Sequence, residues 1–378
     1  MKIYKKAILP AGFSANGIAC GIKKSGKLDL ALLYSELPAK ASCQFTANKM
    51  IAAPIKLNKK YLSSNKQFRA IIANSGNANA FTGRGGLKDS EETTKSLAIA
   101  LKVNKESILI ASTGIIGRRL PLLKIKKAMP GLAAGLSAGG IDKAKKAILT
   151  TDTFTKEVSV KFNIGNKAVT VCGIAKGSGM IAPTMATMLA FILTDANITQ
   201  GALNKALKIS VENSFNCITV DGCMSTNDSV MLLANGASRN TAIDENKNFN
   251  LFAAALKTVC LELAKSIVRD GEGATKFIRI QVDKARDCHQ ARKAALYIAN
   301  SNLVKTAIYG ENPNFGRIVS AVGASGIDAK EEDLKIKVSP LNKKEISINV
   351  SINRGNSRAI VYTSDLTPEY IKINAAYN

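Results

Sequence analysis

The stretch Gly173–Asp195, GIAKGSGMIAPTMATMLAFILTD, joins a glycine-rich loop to an apolar run, and the rest of the sequence is organised around it. The run 185–194 has no charged residue and mixes Thr, Ile and Phe with helix formers, which favours a buried strand over a helix. Gly177, Gly179 and Pro183 precede it and suit a backbone that leaves regular structure. The stretch therefore predicts a core strand that is entered through an irregular loop.

The pair Ala186-Thr187 places a hydroxyl directly after a small residue at this junction. Attack of the hydroxyl on the preceding carbonyl would give an ester by an N-to-O acyl shift, and water would release a new amino-terminal Thr. Its α-amine has an unperturbed pKa of about 7.7–8.0 and could accept the hydroxyl proton without a histidine. Two interpretations of Thr187 remain: a self-cleavage nucleophile, or the opening residue of a buried strand, which is the commoner setting for such a pair.

Length and composition limit the class of protein. The chain has 378 residues, 46% of them hydrophobic, which is enough for two domains or one large layered domain with a sizeable core. No apolar run approaches the roughly 20 residues that cross a membrane, and the amino-terminal apolar segment is too short for a secretory signal. We therefore expect a cytoplasmic protein without a membrane anchor.

Cysteine spacing and charge argue against metal and nucleic-acid sites. The seven cysteines form no CxxC pair and there is one histidine, so we expect reduced thiols and no metal. The net charge is +25, but the lysines are dispersed and few aromatic residues lie among them. This pattern is unlike a nucleic-acid surface, so we expect no nucleic-acid partner; the charge also suits anionic small molecules.

Hydrophobic periodicity predicts the secondary structure. Strands are expected within 18–62, at 69–74, 107–111, 229–233, 346–353, 359–362 and 371–374, and a hairpin across 158–172. Helices are expected at 120–132, 141–149, 199–213, 249–268 and 287–299, and Asp89 with Glu92 predicts a capping box for a helix ending at Leu101. Together these elements predict an α+β fold, a layered sandwich of mixed sheets flanked by helices.

Two turns carry candidate chemistry. Thr113-Gly114 follows the strand 107–111 and could present a hydroxyl and a backbone N–H to a developing oxyanion, although an ordinary turn explains the pair equally well. Glu272 lies between two glycines, where its carboxylate could meet an amine or could simply be solvated.

Eight segments, read in order, resemble the ornithine acetyltransferase family, also called bifunctional glutamate N-acetyltransferase. They are AGFSANGIACGIKKSGKLDLAL, ANSGNANAFTG, ASTGIIG, AKGSGMIAPTMATMLAFILTDA, DGCMSTNDS, RDGEGATKF, TAIYGENPNFGRIVSAVG and SDLTPEYIKINAAY. The resemblance covers nearly the whole chain.

The resemblance implies self-cleavage between Ala186 and Thr187, which divides the precursor into an α chain, 1–186, and a β chain, 187–378. The two chains would form one intertwined catalytic unit and assemble as an α2β2 heterotetramer. Thr187 would take acetyl from N2-acetyl-L-ornithine and pass it to L-glutamate in a ping-pong reaction of arginine biosynthesis. No cofactor is implied, and acetyl-CoA is a second acetyl donor in the bifunctional members.

The resemblance also assigns residues. Thr113 and Gly114 would form the oxyanion hole, and the residues in contact with substrate would be Thr150, Lys176, Thr187, Glu272 and Asn374. A self-processing amidase or aminopeptidase, which hydrolyses the acyl-Thr ester, is the alternative function. Exclusion of water from the ester decides between the two.

Overall fold

The computed structural model of the protein describes residues 1–64, 66–182 and 188–376. The described residues form two compact units. The first unit holds most of the chain up to Leu263, and the second holds 178–182, 215–223 and 264–376.

The first unit is built on a mixed sheet, nine-stranded in the described part of the chain. Its strands are β1 (Lys2–Tyr4), β2 (Phe13–Ile18), β3 (Leu30–Phe45), β4 (Phe68–Asn77), β5 (Ile108–Ile115), β6 (Lys156–Ile164), β7 (Lys167–Lys176), β8 (Leu189–Thr194) and β9 (Ser229–Ala234). The pairs β4–β5 and β8–β9 are parallel, and the other pairs are antiparallel.

The long strand β3 joins the two halves of this sheet. Its first part pairs with β2 and β4, its second part pairs with β9, and the register shifts between Tyr34 and Ala39. One buried cluster contains side chains of β2–β5 together with Leu189 and Phe191 of β8. The two halves therefore share one hydrophobic core.

Helices cover this sheet. Those of the first unit are α1 (Ala53–Ser64), α2 (Gly83–Leu101), α3 (Leu122–Ala134), α4 (Ile141–Ala147), α5 (Gln200–Glu212) and the part of α6 (Phe249–Arg269) up to Leu263. A Cβ on Gly173 of β7 would lie 2.7 Å from a methyl of Val259 and 2.8 Å from one of Leu263, so α6 packs directly on this strand. All six residues of β8, which is parallel to β9 and antiparallel to β7, are buried, as expected of a strand covered on both faces.

The second unit has its own sheet and core. The strands β10 (Phe277–Ala285), β11 (Lys335–Val338), β12 (Glu345–Ser351) and β13 (Ser357–Ser364) lie in the order β11-β12-β10-β13. Its helices are α7 (Cys288–Asn300), α8 (Asn302–Tyr309), α9 (Gly316–Ala324) and α10 (Pro368–Ala376). Apolar residues of β10, β12 and α7 form one buried cluster. Within the described ranges, no helix combines the length and the apolar character needed to span a bilayer.

The α+β prediction of mixed sheets flanked by helices is confirmed, and so are several elements. The hairpin β6–β7 turns at Gly165, which has a φ of 57°. Thr199 caps α5 by accepting a hydrogen bond from Ala202 N, and α6 matches the long helix predicted at 249–268.

Three local predictions are wrong. Residues 53–64 form α1 rather than strand, because Pro54, Leu57 and Tyr61 bury one helical face. Glu92 and Asp89 do not cap a helix: α2 begins at Gly83, and Asp89 binds Arg119 through two hydrogen bonds of 2.6 and 2.7 Å.

The third error concerns the carboxyl-terminal segment 371–374, predicted as a strand, which belongs to α10. Pro368 suits the first position of a helix. Ile371 is 66% exposed, so its apolar side chain does not mark a buried strand.

Candidate active site

The predicted oxyanion residues lie where β5 ends beside β4. Gly114 pairs with Gly76, and Thr113, which is buried, pairs with Ser75. Gly114 has a φ of 129°, and a Cβ there would lie 2.4 Å from the carbonyl carbon of Gly76. Only glycine allows this approach of the two backbones.

A buried amide ties this turn to the segment that precedes the strand β9. Asn227 Nδ2 donates to Ser112 O at 2.9 Å and to Ala78 O at 2.6 Å. Ala78 N in turn donates to Ile115 O at 3.0 Å. The residues on both sides of Thr113-Gly114 are thus held by hydrogen bonds, which suits a donor placed in advance of the reaction.

The second group of predicted residues surrounds a buried carboxylate. Lys176 Nζ donates to Thr150 Oγ1 at 2.8 Å and lies 3.7 Å from Asp152 Oδ2. Lys156 Nζ donates to Asp152 Oδ1 at 2.7 Å, and Gly177 N donates to the same oxygen at 2.7 Å. The structure therefore brings Thr150 and Lys176 together, as the resemblance implies.

The ionisation of this cluster follows from its charges. Burial alone would raise the pKa of Asp152, but the ammonium groups of Lys176 and Lys156 outweigh it and hold that pKa well below its ordinary value. Asp152 is therefore a carboxylate between two lysines. The cluster contains two lysine side chains and one carboxylate, a composition that suits an anionic ligand group.

Lys23 connects the cluster to the turn at Thr113-Gly114. Its Nζ donates to Leu149 O at 2.7 Å, next to Thr150 in the chain, and to Leu28 O at 2.8 Å. A Cβ on Gly76 would lie 3.2 Å from Lys23 Cγ, so the lysine stem passes against the residue that pairs with Gly114. Burial lowers the pKa of Lys23 to about 8, although Asp29 and Asp152 oppose this.

Sequence reasoning did not single out Lys23, Asp152 or Lys156. Asp152 lies four residues before Lys156, and this spacing could have indicated an ion pair between them. The contact between Asp152 and Lys176 depends on the hairpin β6–β7. The hairpin places Lys156 opposite Ala175, the residue before Lys176. Periodicity alone does not show such a pairing of buried charges.

The remaining predicted residues meet in the second unit. Asn374 Nδ2, on α10, donates to Glu272 Oε2 at 2.9 Å and to Tyr370 O at 3.0 Å. Glu272 N donates to Ser178 O at 2.9 Å, and a Cβ on Gly179 would lie 2.2 Å from Glu272 Oε2. Glu272 and Asn374 are thus brought together beside the glycine-rich loop.

The residues before the predicted cleavage site are also anchored within the second unit. Asp221 accepts from Met180 N at 2.6 Å and from Ile181 N at 2.9 Å. Ile181 O accepts from Val220 N at 2.9 Å and from the hydroxyl of Thr219 at 3.1 Å. Met180 has a φ of 56°, an uncommon conformation for a side chain of this kind.

The predicted nucleophile Thr187 and its neighbour Ala186 lie outside the described residues. The division into 1–186 and 187–378 and the role of Thr187 therefore stay predictions.

Comparison with known proteins identifies the family. The family model described as "ArgJ family" matches residues 14–378. The arginine biosynthesis bifunctional protein ArgJ of Caldanaerobacter subterraneus subsp. tengcongensis is 46% identical over 98% of this chain and 98% of its own length. The protein of the same name from Geobacter sulfurreducens is 43% identical over 97% and 98%.

A solved structure is also similar in sequence. The ornithine acetyltransferase of Mycobacterium tuberculosis, crystallised with ornithine, is 39% identical over 48% of this chain and 97% of that chain, with a TM-score of 0.45. The family model and the full-length relatives settle the assignment: this chain belongs to the ArgJ family.

Proposed function

We propose that this chain is a bifunctional acetyltransferase of arginine biosynthesis. It moves acetyl from N2-acetyl-L-ornithine to L-glutamate through an acetyl-Thr187 ester, and it also accepts acetyl-CoA as a donor. The observation that carries the proposal is the match, at 46% identity over 98% of both chains, to a relative named as a bifunctional protein of arginine biosynthesis.

The described geometry supports acyl transfer. The backbone turn at Thr113-Gly114 offers a preorganised position for oxyanion donors. The Lys176 ammonium, held beside the Thr150 hydroxyl, suits the α-carboxylate that ornithine and glutamate share. The Glu272 carboxylate, which accepts from Asn374, suits the side-chain ammonium of ornithine.

The reaction has two balanced halves. Thr187 Oγ attacks the acetyl carbon, the bond from that carbon to the ornithine nitrogen breaks, and the hydroxyl proton passes through the α-amine of Thr187 to this nitrogen. The amine of glutamate then attacks the ester, and Oγ leaves and recovers a proton from that amine. Donor and acceptor have the same α-amino-acid end, so one pocket serves both halves.

The proposal includes self-cleavage at Ala186-Thr187 by the same hydroxyl, before any turnover. It also includes an α2β2 assembly, a cytoplasmic location and the absence of a resident cofactor or metal. Each of these is an expectation carried over from the resemblance or from composition.

Mass spectrometry under denaturing conditions tests the nucleophile. The wild-type chain of 40.1 kDa should give two fragments of about half that mass, one beginning at Thr187. Thr187→Ala should stay uncut and inactive, whereas Thr187→Ser, which keeps a hydroxyl, should still be cut. A cut Thr187→Ala chain would refute the assignment.

A product assay then separates transfer from hydrolysis. With acetylornithine and glutamate supplied together, acetyl should leave as N-acetylglutamate. Release as free acetate would instead favour the amidase function. Omitting acetylornithine and adding acetyl-CoA tests the second donor.

A further inference from the structure

Asp228 lies directly before β9 and binds the residue that follows the predicted nucleophile. Its Oδ1 accepts from Met188 N at 2.7 Å, and its side chain is fully buried. Ser229 N donates to Met188 O at 3.1 Å. Both polar groups of the Met188 backbone are therefore held, and Met188 N is the amide nitrogen bonded to the carbonyl carbon of Thr187.

Asn227, the residue before Asp228, holds the backbone beside the predicted oxyanion residues in a similar way. Asn227 binds Ser112 O, immediately before the oxyanion residue Thr113. Consecutive residues of one chain segment thus hold the backbone next to the oxyanion turn and the backbone next to the nucleophile. The distance between these two backbone segments is therefore fixed by two adjacent residues, which leaves it little freedom to vary.

The carboxyl of Asp228 is fully buried where it binds Met188 N. Burial raises its pKa well above the ordinary value, although Met188 N–H and the charge of Lys176 oppose this. A hydrogen bond from the Thr46 side chain also opposes the rise in the pKa of Asp228.

We propose that Asp228 is a positioning residue: by holding Met188 N–H, and through its link to Asn227, it sets the place of Thr187 relative to the oxyanion turn. This inference rests on the proposed function, because it assumes that Thr187 is the nucleophile. It extends that function by naming the side chain on which the alignment of nucleophile and oxyanion hole depends.

A matched control lies at the other end of β8. Asp195 is also buried and also binds backbone amides, accepting from Thr170 N at 2.8 Å and from Ala11 N at 3.2 Å. Burial raises the pKa of Asp195 as well. If the role of Asp228 were only to stabilise the strand, loss of either carboxyl would have the same consequences.

The test compares Asp228→Ala, Asp228→Asn and Asp195→Ala. Each chain is produced by cell-free synthesis, and the rate of the Ala186-Thr187 cleavage is followed by denaturing mass spectrometry. Asp228→Ala should slow cleavage roughly 10²-fold, as expected for a reacting group displaced by about 1 Å. Asp195→Ala should lower the melting temperature and leave cleavage unchanged. Asp228→Asn, whose amide oxygen keeps the acceptor, should restore cleavage.

The second readout is the steady-state kinetics of acetyl transfer, measured on the fraction of Asp228→Ala that undergoes cleavage. Misplacement of Thr187 should lower kcat for acetyl transfer by a larger factor than it changes KM, because the proposed charged contacts with substrate, Lys176 and Glu272, are not altered. If Asp228→Ala does not fold, Asp228→Leu, which has nearly the same shape without the acceptor, replaces it.

Three results would overturn the inference while leaving the proposed function intact. They are normal cleavage in Asp228→Ala, equal slowing in Asp195→Ala, and a loss in Asp228→Asn as large as in Asp228→Ala. An uncut wild-type chain would refute the proposed function itself, and the inference with it.

Discussion

Replacing Asp152 with Asn should destabilise the first unit strongly. The carboxylate lies between the ammonium groups of Lys156, at 2.7 Å, and Lys176, at 3.7 Å. The three side chains are at most 2% exposed, so water cannot replace the lost negative charge. The substitution keeps the size of the residue and removes only that charge.

The magnitude follows from the number of buried charges left without a counterion. Removing one partner of a buried ion pair costs about 3–5 kcal/mol, and here two lysines share that partner. The amide oxygen of Asn can still accept one hydrogen bond, so we expect a loss of about 3 kcal/mol or more. Because the pKa of Asp152 is held below its ordinary value of 3.8, its contribution is fully present above about pH 4 and is lost as the pH falls further.

Urea unfolding measures this loss. The measurement uses the Thr187→Ala background, in which we expect the chain to stay whole, at pH 7 and again below pH 4, where the difference from Asp152 should shrink. Glu245→Gln is the matched control, since its partner Lys205 lies at 2.7 Å but both side chains are about half exposed, and such pairs contribute about 0–1 kcal/mol. An Asp152→Asn chain within about 1 kcal/mol of its parent, or no more affected than the control, would refute this reasoning.

Two further predictions concern the oxyanion turn and a buried lysine. Gly114→Val should slow both cleavage and transfer, each by about 10²–10³-fold, because its Cβ would meet the Gly76 backbone at 2.4 Å. Gly131→Ala is the control, since a Cβ there has no neighbouring atom within 4 Å. Normal rates for Gly114→Val would remove Gly114 from the site. Burial lowers the pKa of Lys305 from 10.5 to about 8 despite Asp221, so the charged form destabilises the fold below pH 8 and this penalty disappears as the pH rises to 10.5. The stability of Lys305→Met relative to Lys305 should therefore decrease by about 3 kcal/mol over that range in urea unfolding, and a constant difference would contradict the assignment.

Local rules account for the elements that sequence reasoning placed correctly. The cap at Thr199, the hairpin turn at Gly165 and the apolar strand β8 each depend on residues within a few positions of one another. The same reasoning failed for α1 and α10, whose residues have mixed propensities and whose form is decided by what they pack against.

The candidate site likewise has local features that the sequence predicts and long-range contacts that it does not. Thr113-Gly114 and Glu272 could be chosen from the sequence because a turn after a strand, or between glycines, is a local feature. Contacts of the site join residues that are distant in the chain: Thr150 and Lys176 are 26 residues apart, and Met188 and Asp228 are 40 residues apart.

The sequence by itself therefore determined the α+β class, the apolar strand β8 and the turn at Thr113-Gly114. Only the tertiary structure decided that Asp152 lies between two lysines and that Asp228 holds Met188. The physical reason is that a buried charge or carboxyl group needs a partner, and strand register, which no local pattern encodes, selects which residue provides it.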